Sequence, residues 1–289
     1  MEVTGLTDIQ LSEFTELGFV VVSDLVPNSV LEGVERDIAG ILSALTDEAQ
    51  RTKALADKFE DDPFDLRLAN LRKQLGEGCE IERAVTGKNL RTAGMFALMT
   101  CREILDVVDS VIGPEILVHP QFNCQAKFPG EDTSLIPWHQ DLSFLDSSAE
   151  KTMMVNFWIP LVDATIENGC LEVLTHSHQR GLKPHGEVAG YPNPGIIEGC
   201  VPQGEPRPCP VRRGDVVVFQ HRTVHRSFPN RSDRIRWSAD IRYSDPALPT
   251  GRDNVPGFVA RSATNPGSIT QNHEEWERIL MGIDPEPTD

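Results

Sequence analysis

The apolar positions of this chain change their period near residue 114. Before that point they fall three and four apart, as one face of a helix requires. Leu11, Phe14 and Leu17 form such a stripe behind Thr7 and Gln10, which stand at capping-box spacing, and Gly18 ends it. The run FVVVSDL (19–25) reads as a short buried strand, and PNSVLEGVERDIAGILSAL (27–45) as a second amphipathic helix. Residues 46–75 are charged and helical in pattern, interrupted by EDDPFD as a solvated loop. CREILDVVDSVIG is a further helix, stopped by Gly113 and Pro114.

Beyond residue 114 the pattern is that of strands. EILVHPQFNCQAKF, TMMVNFWIPLV, CLEVLT, DVVVFQ, TVHRSF and IRWSADIRYS are short, rich in Val, Ile, Phe and Trp, and bounded by Gly, Pro, Asn or Asp. Helices followed by strands without intervening helices predict an α+β protein with a jelly-roll or barrel core. We read one domain over 1–289: a mainly helical preface (1–113), a jelly-roll core (114–245) and a C-terminal extension (246–289). The Pro- and Gly-rich stretch 183–210 is a long insert in the core, and a lid over a site is its expected role.

Composition narrows the function. With 289 residues, 39% hydrophobic and 25% charged, the chain can bury a substantial core. Its net charge of −17 argues against nucleic acid as a partner. No run of eighteen apolar residues suggests a membrane span, and the start lacks the basic-then-apolar order of a secretory leader. The six cysteines are scattered with no C-x-x-C pair, as expected of reduced thiols in the cytoplasm. Composition leaves the oligomeric state open.

Candidate chemistry centres on PWHQDLSFLD (137–146). In an extended strand, His139 and Asp141 would point to one face with Gln140 turned away. An imidazole and a carboxylate converging on one point are two thirds of a facial iron site if a second histidine joins them. His221 and His225, in FQHRTVHRSF, have the same parity, so alternation does not choose between them. Arg236 follows eleven residues after His225, and a returning strand puts it on one face with Ser238. A guanidinium fork beside a hydroxyl suits a carboxylate held at the inner end of a pocket.

These spacings resemble the phytanoyl-CoA dioxygenase family of iron(II)- and 2-oxoglutarate-dependent oxygenases. WHQDLSF, VNFWIPLVDATIENGCLEVLTHSHQRG, RRGDVVVFQHRTVHRSFPNRS and the opening LTDIQLSEFTELGFVVVSDLV carry the likeness. It is weakest at 46–95 and in the insert. The resemblance implies a cupin-like double-stranded β-helix with the N-terminal helices packed on one sheet. It implies iron ligands His139, Asp141 and His225, with Arg236, aided by Ser238, on the far carboxylate of 2-oxoglutarate. Lys127, Asn123 and Trp158 match positions that contact the cosubstrate or line its pocket in relatives. Gln121 shares a strand face with Asn123 and Lys127 and is a substrate candidate. Lys88 and Arg91, in VTGKNLRTAG, are candidates for an anionic substrate group or else plain surface charges. His178 matches a structural histidine.

The implied reaction consumes dioxygen, with ascorbate as an optional reductant, and releases succinate and carbon dioxide. It oxidises an aliphatic C–H bond of a small molecule, and secondary metabolism is the preferred setting. The aspartate at 141 disfavours halogenation, since halogenases of this kind replace it with a small residue. Two other readings stand beside this one: a cupin-like metalloenzyme that uses no 2-oxo acid, and a noncatalytic binding relative. Arg236 with Ser238 argues against the first, and the complete ligand set against the second.

Overall fold

In the computed structural model, which describes residues 5–130, 135–252 and 254–282, the expected capping box starts the first helix. Thr7 Oγ1 accepts from the Gln10 amide, and Gln10 Oε1 accepts from the Thr7 amide at 3.0 Å. That helix, α1 (Asp8–Leu17), ends at Gly18 with φ +87°, and the chain turns directly into strand β1 (Phe19–Val22). A Cβ on Gly18 would stand 2.4 Å from His178 Nδ1, so glycine is required twice over. His178 Nε2 in turn meets the free carbonyl of Thr15 at 3.0 Å, the structural role expected of it.

Helices α2 (Asn28–Arg51), α3 (Phe64–Leu75), α4 (Glu80–Val85), α5 (Ala93–Met99) and α6 (Arg102–Ile112) complete the helical part. Strands β2 (Ile116–Val118), β3 (Asn123–Lys127), β4 (Val155–Pro160), β5 (Leu171–Leu174), β6 (His185–Gly186), β7 (Gly195–Ile196), β8 (Pro206–Cys209), β9 (Val216–Gln220), β10 (His225–Ser227), β11 (Arg236–Ser244) and β12 (Phe258–Arg261) follow, and α7 (His273–Leu280) closes the described chain. Both ends of the expected 1–289 domain lie outside the described residues.

Among the described residues a seven-stranded antiparallel sheet has the order β1-β9-β4-β11-β2-β12, with β3 also paired to β11. A smaller antiparallel sheet runs β10-β5-β8, and β6 and β7 form a hairpin inside the insert. The large sheet takes β1 and β12 from outside the 114–245 span, one from each flank. Its helix-facing side is apolar: Trp237, Ala239, Ile241 and Tyr243 alternate along β11 into the core beneath the helices. Each of the larger three contributes about 1.5–3 kcal/mol on burial. The opposite side meets the small sheet through Trp158, Val217 and Phe219 against Leu171, Val173 and Cys209. The remaining face of β11 carries Arg236, Ser238, Asp240 and Arg242 toward the space between the sheets, because alternate residues share a face. All six cysteines are unpaired, and no helix among the described residues is long and apolar enough to cross a membrane.

Candidate metal centre

His139 and Asp141, two apart in the chain, meet the distant His225 between the sheets. His139 and His225 face each other as an isolated antiparallel bridge, exchanging both backbone hydrogen bonds at 3.0 Å. Their ring centroids are 4.1 Å apart. The expected strand through 139–141 is not formed. Gln140 is extended (φ −124°, ψ 131°), and Asp141 opens a short 3-10 turn, Asp141–Phe144. One extended residue is enough to aim His139 and Asp141 at the same point. Gln140 is turned away as expected, and its amide is held by Gly181 O, Arg222 O and Lys183 N.

Each imidazole is oriented from behind. His139 Nδ1 donates to Pro137 O and His225 Nδ1 to Thr223 O, both at 3.0 Å. A carbonyl only accepts, so the proton sits on Nδ1 and the Nε2 lone pair points inward. Burial pushes both rings toward the neutral form, His139 down to about 3. Asp141 Oδ1 lies 3.6 Å from His139 Nε2 and 3.9 Å from His225 Nε2. The ligand atoms of the three residues all lie within 4.8 Å of one another, and all three side chains are buried.

The carboxylate is fixed just as firmly. Asp141 Oδ2 accepts from Asn156 Nδ2 (2.6 Å), Arg242 Nε (3.0 Å) and Arg242 Nη2 (2.7 Å), which leaves Oδ1 for the cluster. Burial pushes the Asp141 carboxyl up, but the Arg242 guanidinium, helped by the two imidazoles, more than reverses this and holds it below the usual range. Sequence reasoning missed Asn156 and Arg242. Arg242 was within reach of it, since IRWSADIRYS puts it on the face of Arg236 and Ser238.

His221, the other member of the His221/His225 pair, is used differently. Its Nδ1 accepts from the Met154 amide at 3.2 Å, and it stands outside the cluster.

Arg236 is almost fully buried and lines the same cavity. Its Nη1 donates to Ser238 Oγ, its guanidinium carbon lies 5.0 Å over the Trp158 ring, and its Nε has no partner among the described residues. Burial lowers its pKa to about 10. Lys127 pairs with Arg236 across β3 and β11 and donates from Nζ to Ser227 Oγ at 2.6 Å. Burial first, then Arg236, brings Lys127 down to about 7.

The cavity has a volume of about 430 Å³ and is lined by the three cluster residues, Arg236, Trp158, Asn123, Gln121 and Lys88. Ser238 stands behind Arg236 and does not line it. Lys127 does not line it either, but borders an adjoining groove that shares Gln125 and Asn193 with the cavity. Arg91 is not at the cavity either. It lines an adjoining pocket of about 80 Å³ that shares Lys88. Asp240, also unforeseen, lines the cavity with Oδ2 accepting from Gln125 Nε2 at 2.8 Å, and burial raises it to about 6. The insert supplies Asn193 and Pro194 to the wall and packs Gly195 on Pro137.

The model of the phytanoyl-CoA dioxygenase (PhyH) family matches residues 14–238. Peroxisomal phytanoyl-CoA dioxygenase of Homo sapiens is 29% identical over 174 residues, 56% of this chain and 51% of that protein. Phytanoyl-CoA dioxygenase domain-containing protein 1 of Bos taurus is 36% identical over 121 residues, 39% of this chain and 38% of its own length. The chain thus spans about half or less of the curated relatives it matches. Among solved structures, the apo non-heme monooxygenase ThoJ superposes with a TM-score of 0.65 at 20% identity, covering 91% of this chain and 87% of ThoJ. The epimerase SnoN, solved with Fe3+, alpha ketoglutarate and nogalamycin RO, gives 0.53 at 22% identity, covering 84% and 86%. At these identities the likeness is one of fold.

Proposed function

The chain belongs to the phytanoyl-CoA dioxygenase family, and from that membership we propose that it is an iron(II)- and 2-oxoglutarate-dependent oxygenase. It oxidises an aliphatic C–H bond of a small molecule, with hydroxylation as the default outcome and specialised metabolism in the cytoplasm as the setting. The two facing antiparallel sheets are in keeping with a double-stranded β-helix core.

The residues fit the groups this reading requires. Two Nε2 lone pairs and one carboxylate oxygen on a single side are the donor set of a 2-His-1-carboxylate iron centre. The neutral rings and ionised Asp141 are in the protonation states a metal takes, so no proton need leave on loading. Iron(II) with 2-oxoglutarate and dioxygen supplies the oxidising power, and succinate and carbon dioxide are released.

The protein's own share is orientation. Pro137 O and Thr223 O hold the imidazoles, while Arg242 and Asn156 hold Asp141. Arg236 receives the far carboxylate of the cosubstrate, Ser238 steadies the fork, and Trp158 walls it from water. Asn123 and Lys127 act beside it, and Gln121 meets the substrate. The single observation that carries the proposal is the buried Arg236, with no carboxylate partner among the described residues, in one cavity with the cluster. A buried guanidinium without an anion is unfavourable, and a dicarboxylate that also reaches the metal relieves it.

The test is anaerobic. The protein with iron(II) and 2-oxoglutarate should develop the weak visible charge-transfer band of the chelate. His225→Ala should abolish the band, and Arg236→Ala should require far more 2-oxoglutarate to form it. An Arg236→Ala titration that matches wild type would remove the assigned anchor.

A further inference from the structure

The chain carries 44 acidic against 27 basic residues, and several arginines are paired with a carboxylate. Arg213 pairs with Glu35, Arg226 with Glu172, and Arg261 with Asp106 and Asp109. The rim of the cavity instead gathers cations with no such pair among the described residues. Lys88 lines both the main cavity and the adjoining pocket, and Arg91 lines the latter. Burial first, then Arg252, Arg242 and Arg91, lowers the pKa of the Lys88 ammonium, and the charged groups acting on it among the described residues are all cations. Arg242 is already committed to Asp141. Lys88, Arg91 and Arg252 have no ion pair among the described residues. Arg252 has further unused capacity: Nη2 donates to Phe144 O at 2.6 Å, but its buried Nε has no partner among the described residues. Phe144 itself lines the cavity, so this guanidinium is tied to the wall beside the metal cluster.

Lys88 is also held in place by its backbone. The preceding Gly87 exchanges two hydrogen bonds with Cys124 of β3, at 2.7 and 2.9 Å. A loop pinned to the sheet keeps its next side chain at the cavity edge. Like charges gathered without counter-charge repel one another and lower stability. Such an arrangement is relieved when an anion arrives.

We propose that the rim shared by the cavity and its adjoining pocket docks an anionic group of the substrate, a carboxylate or a phosphate monoester, between Lys88 and Arg91, with Arg252 tied to the cavity wall at Phe144. The proposal deepens the oxygenase reading and rests on it for the identity of the cavity. The anion is held at the rim while the carbon to be oxidised reaches inward to the cluster. It is distinct from the anion site at Arg236, which lies buried.

The experiment uses the full chain, loaded anaerobically with iron(II) and 2-oxoglutarate, and four probes that share one body. These are 4-phenylbutyrate, 4-phenylbutyl phosphate, 4-phenylbutanol and 4-phenylbutylamine. Equilibrium binding should favour the two anions over the alcohol by about tenfold, with the amine weakest. The preference should vanish in K88E/R91E, whose two positions are exposed. The charge-transfer band should persist as the anions bind, which separates the rim from the Arg236 site. The stronger of the two anions identifies the substrate's group. Equal binding of acid and alcohol, preference for the amine, an acid preference retained in K88E/R91E, or acid binding seen only as loss of the band would each overturn the proposal, as would no acid binding up to the solubility limit. If no band forms at the outset, the oxygenase reading fails instead, and the same titrations on metal-free protein still decide the docking site.

Discussion

Replacing Arg242 with methionine isolates how much of the candidate metal centre is built by residues outside the proposed ligand set. Arg242 is buried and makes three hydrogen bonds: two to Asp141 Oδ2 (3.0 and 2.7 Å) and one from Nη1 to Gln121 O (3.0 Å). Methionine keeps much of the apolar stem but leaves Asp141 with Asn156 alone. Removing one partner of a buried ion pair costs about 3–5 kcal/mol. Urea unfolding of the metal-free protein at pH 7 should show a loss in that range. The carboxylate also loses the fixed rotamer that presents Oδ1, and losing such outer contacts lowers metal affinity about 10–100-fold. Cobalt(II) or zinc titration against a chelator of known affinity reads that loss directly. Burial alone pushes the Asp141 carboxyl upward, and Arg242 is the main force opposing it. The acid edge of metal binding should therefore move to higher pH in Arg242→Met. Metal affinity within twofold of wild type, with an unmoved acid edge, would show that Asp141 is positioned by something other than Arg242.

Three further outcomes follow from the same geometry. Arg236→Met should weaken 2-oxoglutarate binding by about two orders of magnitude while leaving cobalt(II) affinity near wild type, as expected for losing a charge-assisted bidentate contact of about 1.5–3 kcal/mol per bond; comparable losses in both would mean the cavity has collapsed. Lys127 is less protonated in the fold than in the unfolded chain between about pH 7 and 10.5, so its burial penalty is full below pH 7 and fades as pH rises. Lys127→Met should therefore gain stability over wild type at pH 6 and lose that advantage by pH 10, and denaturant midpoints that differ equally at both pH values would contradict the assignment. Gln140→Leu removes three buried contacts to Gly181, Arg222 and Lys183, and at about 1 kcal/mol each the loss in urea unfolding should approach 3 kcal/mol.

Much of the site was legible in the residues because it depends on local rules. Thr7 and Gln10 mark a helix start, Gly18 its end, and alternation along IRWSADIRYS puts Arg236 and Ser238 on one face. His139 and Asp141 converge across a single extended residue, which the H-x-D spacing already implies. The amino-acid order alone thus determined the element types, the bipartite α+β plan and most of the chemistry. Only the tertiary structure decided which of two histidines of equal parity joins that pair. His225 bridges residue 139 through the backbone, while His221 is spent on Met154. It likewise decided that Arg242 and Asn156 grip Asp141, that Arg91 stands apart from the cavity, and that β1 and β12 enter the large sheet. Periodicity is written between neighbours, a few residues at a time. Contacts between residues far apart in the chain depend on how whole sheets stack, and no short window of sequence carries that packing.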